Sequence, residues 1–347
     1  MANIGFFVFP NQSCLNASLK LAADLRARRH RVYYLGLQDS AEYMAANGFD
    51  FVPVFTRHFP KGFHQVVARM ETPKPWRETY VLGRKFIRNY KEFVDSLIVG
   101  EDTTFQDALR EYRLEMMIYV SDDYFVDWPA LLAYKVGVPG VYFSQILNPR
   151  ANSASPPCDS NLIPSDSYWS RTRVFLEWKR GILSYPVSVV LRMLDLNLDI
   201  GAWTRKLADA CGYRHELVCD PLRKPTLMKL PELIPFPPGF EFFDENVPGQ
   251  HFIGCCVYEE RQQASFSWEK LDSRPLIYCA LGTVPFFNKD GYMKFFETVV
   301  LASTVRPDCQ WVLALGSTLG VDELGELPEN VIAVQHAPQL DLLRRAS

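Results

Sequence analysis

Two rhythms of apolar positions alternate along the chain. Short apolar runs near 4–10, 30–35 and 51–55 are separated by stretches in which apolar residues recur three or four apart, as Leu15, Leu19, Ala22 and Leu25 do. Compact apolar runs bounded by polar residues predict strands, and the 3.6-residue recurrence predicts a helix with one face on a core. Residues 1–55 therefore read as strand 4–10, helix 15–29, strand 30–35, helix 40–47 and strand 51–55. The basic stretch Arg28-Arg29-His30 ends the first helix. Strand and helix in strict alternation predict one βαβαβ half of a doubly wound parallel sheet.

The rhythm then breaks and resumes twice. Residues 57–104 interleave basic and aromatic side chains with Pro60, Pro73 and Pro75, which predicts loops and helices that leave the sheet and wall a pocket. Regular spacing returns as helix 104–112, strand 116–120, helix 128–135 and strand 138–143. Residues 148–170, rich in Pro, Ser and Asn, read as irregular, followed by amphipathic helices to about 211. Residues 230–254 carry Pro231, Pro235, Pro237, Pro238 and Pro248 and read as short strands joined by turns at the edge of the sheet. A polar stretch without period marks a linker, and a second array follows: strand 276–281, turn at Gly282-Thr283, helix 291–304, strand 310–315, strand 331–334, helix 340–345. The expected division is a first domain over 1–258, a linker over 259–274 and a second domain over 275–347.

Size and charge narrow the function. A chain of 347 residues exceeds the roughly 250–300 residues at which one core stops growing, so two domains are expected. A net charge of -3 with Lys and Arg dispersed among Asp and Glu argues against nucleic acid as a partner. The apolar run at 4–9 lacks a basic flank and is too short for a secretory signal, and no stretch has the length of a spanning helix. A peripheral membrane contact stays open for the mixed basic and apolar helix around 171–192. The eight cysteines include no CxxC pair, so zinc and disulfide frameworks lack a motif and reduced, buried thiols in a cytoplasmic protein are expected. Neither HExxH, a Walker loop nor GxGxxG occurs.

Candidate chemistry concentrates at the end of the sequence. After the apolar run 331–334 come His336, Pro338 and Gln339, then a helix. A flat ring to stack on, a rigid backbone and an amide able to read an imide edge suit a uracil base. His336 reads equally well as a structural residue at a strand end.

The segments Phe6-Phe7-Val8-Phe9-Pro10, Leu15-Asn16-Ala17-Ser18-Leu19, Gly137-Val138-Pro139, the Gly282-Thr283 turn and Ala337-Pro338-Gln339, in this order and spacing, resemble the GT-B glycosyltransferases. More narrowly, they are similar to the UDP-sugar group related to UDP-glucuronosyltransferases and macrolide or zeaxanthin glucosyltransferases. The resemblance implies an α/β fold of two Rossmann-like domains facing a cleft, the first for a small, apolar acceptor and the second for a nucleotide sugar. It implies attack of an acceptor hydroxyl on the anomeric carbon of a UDP-sugar, with inversion. UDP-sugar is a co-substrate; no cofactor and no metal are implied.

The same resemblance assigns residues. The general base of such enzymes, a His, falls on Cys14, and a thiol with an ordinary pKa of ~8.5 accepts a proton poorly at neutral pH. Its orienting Asp falls on Asp123, with Asp122 beside it; either could serve as base, or the pair could cap the segment that follows. Gly282, Thr283, His336, Pro338 and Gln339 correspond to the donor site. Phe59, Trp76, Tyr80, Phe86 and Trp169 are candidates for an acceptor pocket, with core packing as their other reading. The HGG-type segment that grips the diphosphate in relatives is absent up to Ser347, so the second domain is expected to be incomplete. Two further readings stand beside transfer: a GT-B-like binding or auxiliary protein, favoured by Cys14, and a nucleotide-sugar epimerase or hydrolase.

Overall fold

The computed structural model describes residues 1–63, 76–121, 127–145, 155–157, 160–193, 200–214, 228–240, 248–282 and 288–346. They cluster into two compact units, Met1–Lys61 with Phe86–Tyr258, and Gly62–Lys85 with Glu259–Ser347. The first is built on β1 (Asn3–Val8), β2 (Arg31–Gly36), β3 (Asp50–Pro53), β4 (Met116–Ser121), β5 (Gly140–Ser144), β6 (Glu232–Ile234) and β7 (Gln250–Phe252), in the order β3-β2-β1-β4-β5-β6-β7. Every neighbouring pair is parallel. The order reverses between β1 and β4, as in a doubly wound sheet.

Side-chain alternation along β1 explains why the sheet is covered on both faces. Ile4, Phe6 and Val8 lie in one cluster with Cys14, Leu15, Leu19 and Ala22 of α1 (Gln12–Ala27) and with Val32 and Tyr34. Phe7 points the other way, 5.3 Å from the ring of Trp128 and 5.8 Å from that of Phe105. Burying each such aromatic contributes roughly 1.5–3 kcal/mol. Tyr34 is wholly buried, and its hydroxyl lies 3.0 Å from Ser18 Oγ; burial raises its pKa far above the usual phenol range.

Three boundaries differ from the sequence pattern for identifiable reasons. Helix α1 starts at Gln12 because the Asn11 side chain accepts from the Ser13 amide and caps it. The second helix is short, α2 (Ala41–Ala46), because Gln38–Ser40 forms a 3-10 turn before it. Within the stretch expected to hold loops and helices that leave the sheet lies the 24-residue α3 (Trp76–Val99). Tyr90, Phe93, Val94 and Leu97 are buried on one side while Arg84, Lys85, Arg88 and Lys91 face solvent, so a helical period was present under the interleaved basic residues. The remaining helices of this part of the chain are α4 (Thr104–Glu111), α5 (Asp127–Lys135), α6 (Tyr168–Met193) and α7 (Ile200–Ala210).

The second unit holds β8 (Leu276–Ala280), β9 (Gln310–Ala314) and β10 (Val331–Val334), parallel and ordered β10-β9-β8. Helix α8 (Lys289–Val305), capped by Asn288, covers one face through Tyr292 and Phe296 against Leu313 and Val331. The other face, with Leu276 and Val312, is covered by Leu342 of α9 (Gln339–Leu343) and by Phe266, Trp268 and Leu271. Leu276 also forms an isolated parallel bridge to Ala346.

Close approach of backbones fixes Gly36 at the end of β2. A Cβ there would lie 2.6 Å from the Val8 carbonyl oxygen, a rigid atom in the neighbouring strand. Gly36→Ala is expected to lower stability by about 1–3 kcal/mol, read as a reduced urea midpoint with unchanged slope.

Candidate functional site

Ligands of open parallel sheets bind outside the carboxyl ends of the strands, where the order reverses. In the first sheet that place lies between the ends of β1 and β4. Val8 leads through Phe9 and Pro10 to Asn11, whose Oδ1 accepts from both the amide, 3.2 Å, and the hydroxyl, 2.9 Å, of Ser13. This cap draws Cys14 into the first turn of α1, where it is 1% exposed in the core cluster. An acceptor hydroxyl has no open path to that sulfur. Asp122 and Asp123 directly follow the last residue of β4, Ser121, and lie outside the described residues.

A polar cluster next to β3 had not been singled out from the sequence. The Ser96 hydroxyl donates to the Phe93 carbonyl at 2.7 Å and lies 3.1 Å from His58 Nε2. The hydroxyl thus joins the imidazole to the Phe93 carbonyl. Thr104 Oγ1 donates to the buried Asp102 at 2.6 Å and accepts from the Phe55 amide at 3.0 Å. Phe55 sits at φ 57°, a left-handed conformation costly for a bulky residue. Its ring contacts with Phe93, Phe105 and Trp128 hold it there. Burial lowers the His58 pKa below its ordinary 6.5, with Asp102 opposing and Arg57 assisting. The only sequence signal was a His set between Phe55 and Phe59 just after a strand.

The proposed acceptor-pocket aromatics do not form one group. Phe59 is 3% exposed and packs on Phe93 and Trp128, which is the core reading. Phe86 lies against Tyr90. Tyr80 is half-exposed beneath Arg84, and Trp76 opens α3, its side chain outside the described set. Trp169 is 75% exposed on α6 near Phe175 and Leu176, also exposed, and Lys179 lies over the Phe175 ring.

The carboxyl edge of the second sheet is more coherent. Gly282 follows β8 at φ 81° and Gly316 follows β9 at φ 71°; a Cβ on Gly316 would be 3.8 Å from the Gly282 carbonyl oxygen. Gln335 Nε2, after β10, donates to the Gly316 and Leu319 carbonyls. His336 and Gln339 are exposed beyond it and Pro338 is buried. Thr283 lies outside the described residues.

Residues 259–271 strap α9 in place. Pro338 gives this helix no side-chain cap. The cap comes from 77 residues away, where Gln263 Oε1 accepts from the Leu340 amide at 2.8 Å and Gln263 Nε2 donates to Asp341 at 3.0 Å. Glu259 pairs with Arg344 at 2.8 Å, Arg261 donates to Gln339 Oε1 at 3.2 Å, and Arg345 stacks over Trp268 at 4.4 Å. A cavity of about 230 Å³ lies on this covered face, lined by Ser265, Phe266, Ser267, Lys270, Ile332 and Val334. It is smaller than the roughly 300–1,000 Å³ of ligand pockets.

Among the described residues no three His, Cys, Asp or Glu side chains gather as a metal site, and no helix is long and apolar enough to cross a membrane. Of the cysteines, Cys14, Cys211 and Cys309 are buried, whereas Cys255 is exposed, contrary to the expectation of uniform burial. Cys158 and Cys219 lie outside the described residues. Burial pushes the Cys211 and Cys256 thiols up to about 11.

Two parallel α/β sheets, each with a loop-built edge at its strand ends, invite comparison with known two-domain α/β proteins. The chain is 28% identical over 354 residues to demethyllactenocin mycarosyltransferase of Streptomyces fradiae, covering 99% of this chain and 65% of that protein. Among solved structures it is similar to the glycotransferase of kitacinnamycin, with a TM-score of 0.60, 21% identity and coverage of 99% of this chain and 73% of that one. It is similar also to the spinosyn rhamnosyltransferase SpnG complexed with thymidine diphosphate, at TM-score 0.53, 14% identity and coverage of 100% and 74%. No family model matches. The chain shares the GT-B fold of these solved structures and spans 65% of the length of the curated mycarosyltransferase it matches.

Gln263→Ala should weaken α9 by about 0.5–2 kcal/mol, the usual worth of a helix cap, with faster hydrogen exchange at the Leu340 amide as the measurement. For His58 the folded pKa is depressed, so the unfolded chain binds the proton more readily. Its contribution to stability is therefore complete above about pH 6.5 and lost as pH falls through that value and below. Urea midpoints taken from pH 7.5 down to 5.5 should decline, and His58→Gln should flatten that decline.

Proposed function

We propose that this protein transfers a hexose from a nucleoside-diphosphate sugar, uracil- or thymine-based, to a hydroxyl of a small apolar acceptor with inversion. The observation that carries the reading is the edge of the second sheet, where exposed His336 and Gln339 stand beyond the Gly282, Gly316 and Gln335 ledge. The similarity to glycosyltransferases over nearly the whole chain supports it. His336 would supply a ring face for the base and Gln339 its amide, while the open space at Gly282 leaves room for the diphosphate. The acceptor oxygen forms its bond to the anomeric carbon as the bond from that carbon to the diphosphate oxygen breaks. The electron pair leaves with the nucleoside diphosphate, and the acceptor proton passes to a base.

For that base we favour Asp123 or Asp122, which follow β4 at the reversal of strand order, over the buried Cys14. Loss of a general base typically costs about 10²–10⁴ in rate. Asp123→Asn or Asp122→Asn should lower kcat by that range with UDP- or TDP-hexose and hydroxylated polyketide or phenolic acceptors, while Cys14→Ala leaves kcat within a few-fold. Product mass spectrometry reads the transfer. The burial of Cys14 where relatives place a base also favours a second reading, a binding or auxiliary protein; absence of transfer with retained nucleotide affinity would establish it. A reducing, cytoplasmic setting suits the exposed Cys255 thiol.

A further inference from the structure

We infer that Arg261 is a positioning residue that sets which half of the Gln339 amide meets the donor base, and so selects an imide-type pyrimidine. The inference rests on the reading of this edge as a nucleotide site. Arg261 is half-buried, and its Nη2 donates to Gln339 Oε1 at 3.2 Å. The backbone carrying it is pinned on both sides: Glu259 by Arg344 at 2.8 Å, and Gln263 by the Leu340 amide at 2.8 Å and by Asp341 at 3.0 Å. A guanidinium has only donors, so it can hold the amide only by its oxygen. The exposed Gln339 therefore presents its NH₂ outward.

An outward NH₂ matches a base carbonyl and opposes a base amine. Uracil and thymine carry a carbonyl at the position where cytosine carries its exocyclic amine. With Arg261 in place the amide cannot turn to accept from cytosine without leaving two donors facing each other, which strips a hydrogen bond from each. The Leu340 N–H at the start of α9 is already taken by Gln263. Arg261 thus acts on the ligand through Gln339 and need not touch it.

Calorimetric titration of UDP, TDP and CDP into the full chain, and into Arg261→Ala, Arg261→Lys and Gln339→Ala, tests this. The parent chain should bind UDP or TDP about tenfold more tightly than CDP, one hydrogen bond's worth; the tighter of the two identifies the donor base. Arg261→Ala should weaken UDP and TDP several-fold while CDP is unchanged or improved, so that the preference collapses, and Arg261→Lys should keep part of it. Equal weakening of all three nucleotides, or no change, would show that Arg261 only fastens the strap and overturns the inference. If Gln339→Ala changes nothing, or the parent binds none of the three, the nucleotide-site reading fails as well, independently of Arg261.

Discussion

The burial of β1 on both faces is the constraint from which the rest of the first unit follows. A parallel strand has no exposed side to give polar residues, so Phe6 and Phe7 must each find a separate core. Phe6 meets α1 and Tyr34; Phe7 meets Trp128 and Phe105. Helices on both faces force the connections to run over the strand ends, and it is there that backbone turns, caps and polar clusters gather. The strained Phe55, the His58 and Ser96 pair and the capped start of α1 are all consequences of covering one central strand twice.

The second unit solves the same problem with fewer parts. One face of its sheet takes α8, and the other takes a short helix that cannot hold itself, since five residues give little helical cooperativity. Contacts reaching back nearly eighty residues, from Gln263, Arg261 and Glu259, supply what local sequence does not. The parallel bridge from Leu276 to Ala346 sits on the outer side of β8, opposite β9. In the first sheet β4 occupies the corresponding side of β1, so both units are wound on one scheme.

This arrangement separates the cap of α9 from the Gln339 side chain. Gln263 satisfies the backbone of α9, which leaves Gln339 free of structural duty apart from its bond to Arg261. Cys14 has the opposite fate: the cap that shortens the path from β1 to α1 also turns its thiol into core. In the proposed transfer the acceptor proton therefore goes to a group other than this thiol.

The sequence by itself determined the strand and helix alternation, the presence of two wound sheets and the place of Gly282, His336 and Gln339 at strand ends. Each of these depends on local periodicity or on turn chemistry within a few residues. Strand 331–334 was legible to the residue, because an apolar run between Pro328 and Pro338 has little freedom in its bounds. Only the tertiary structure decided that Phe59 is core, that His58 meets Ser96 and that Arg261 reaches Gln339. Those outcomes join residues 34 to 78 positions apart, and no local pattern encodes which side chain a distant segment will meet. Burial of Cys14 belongs to the same class, since an N-cap is visible in sequence but the core it turns a side chain into is not.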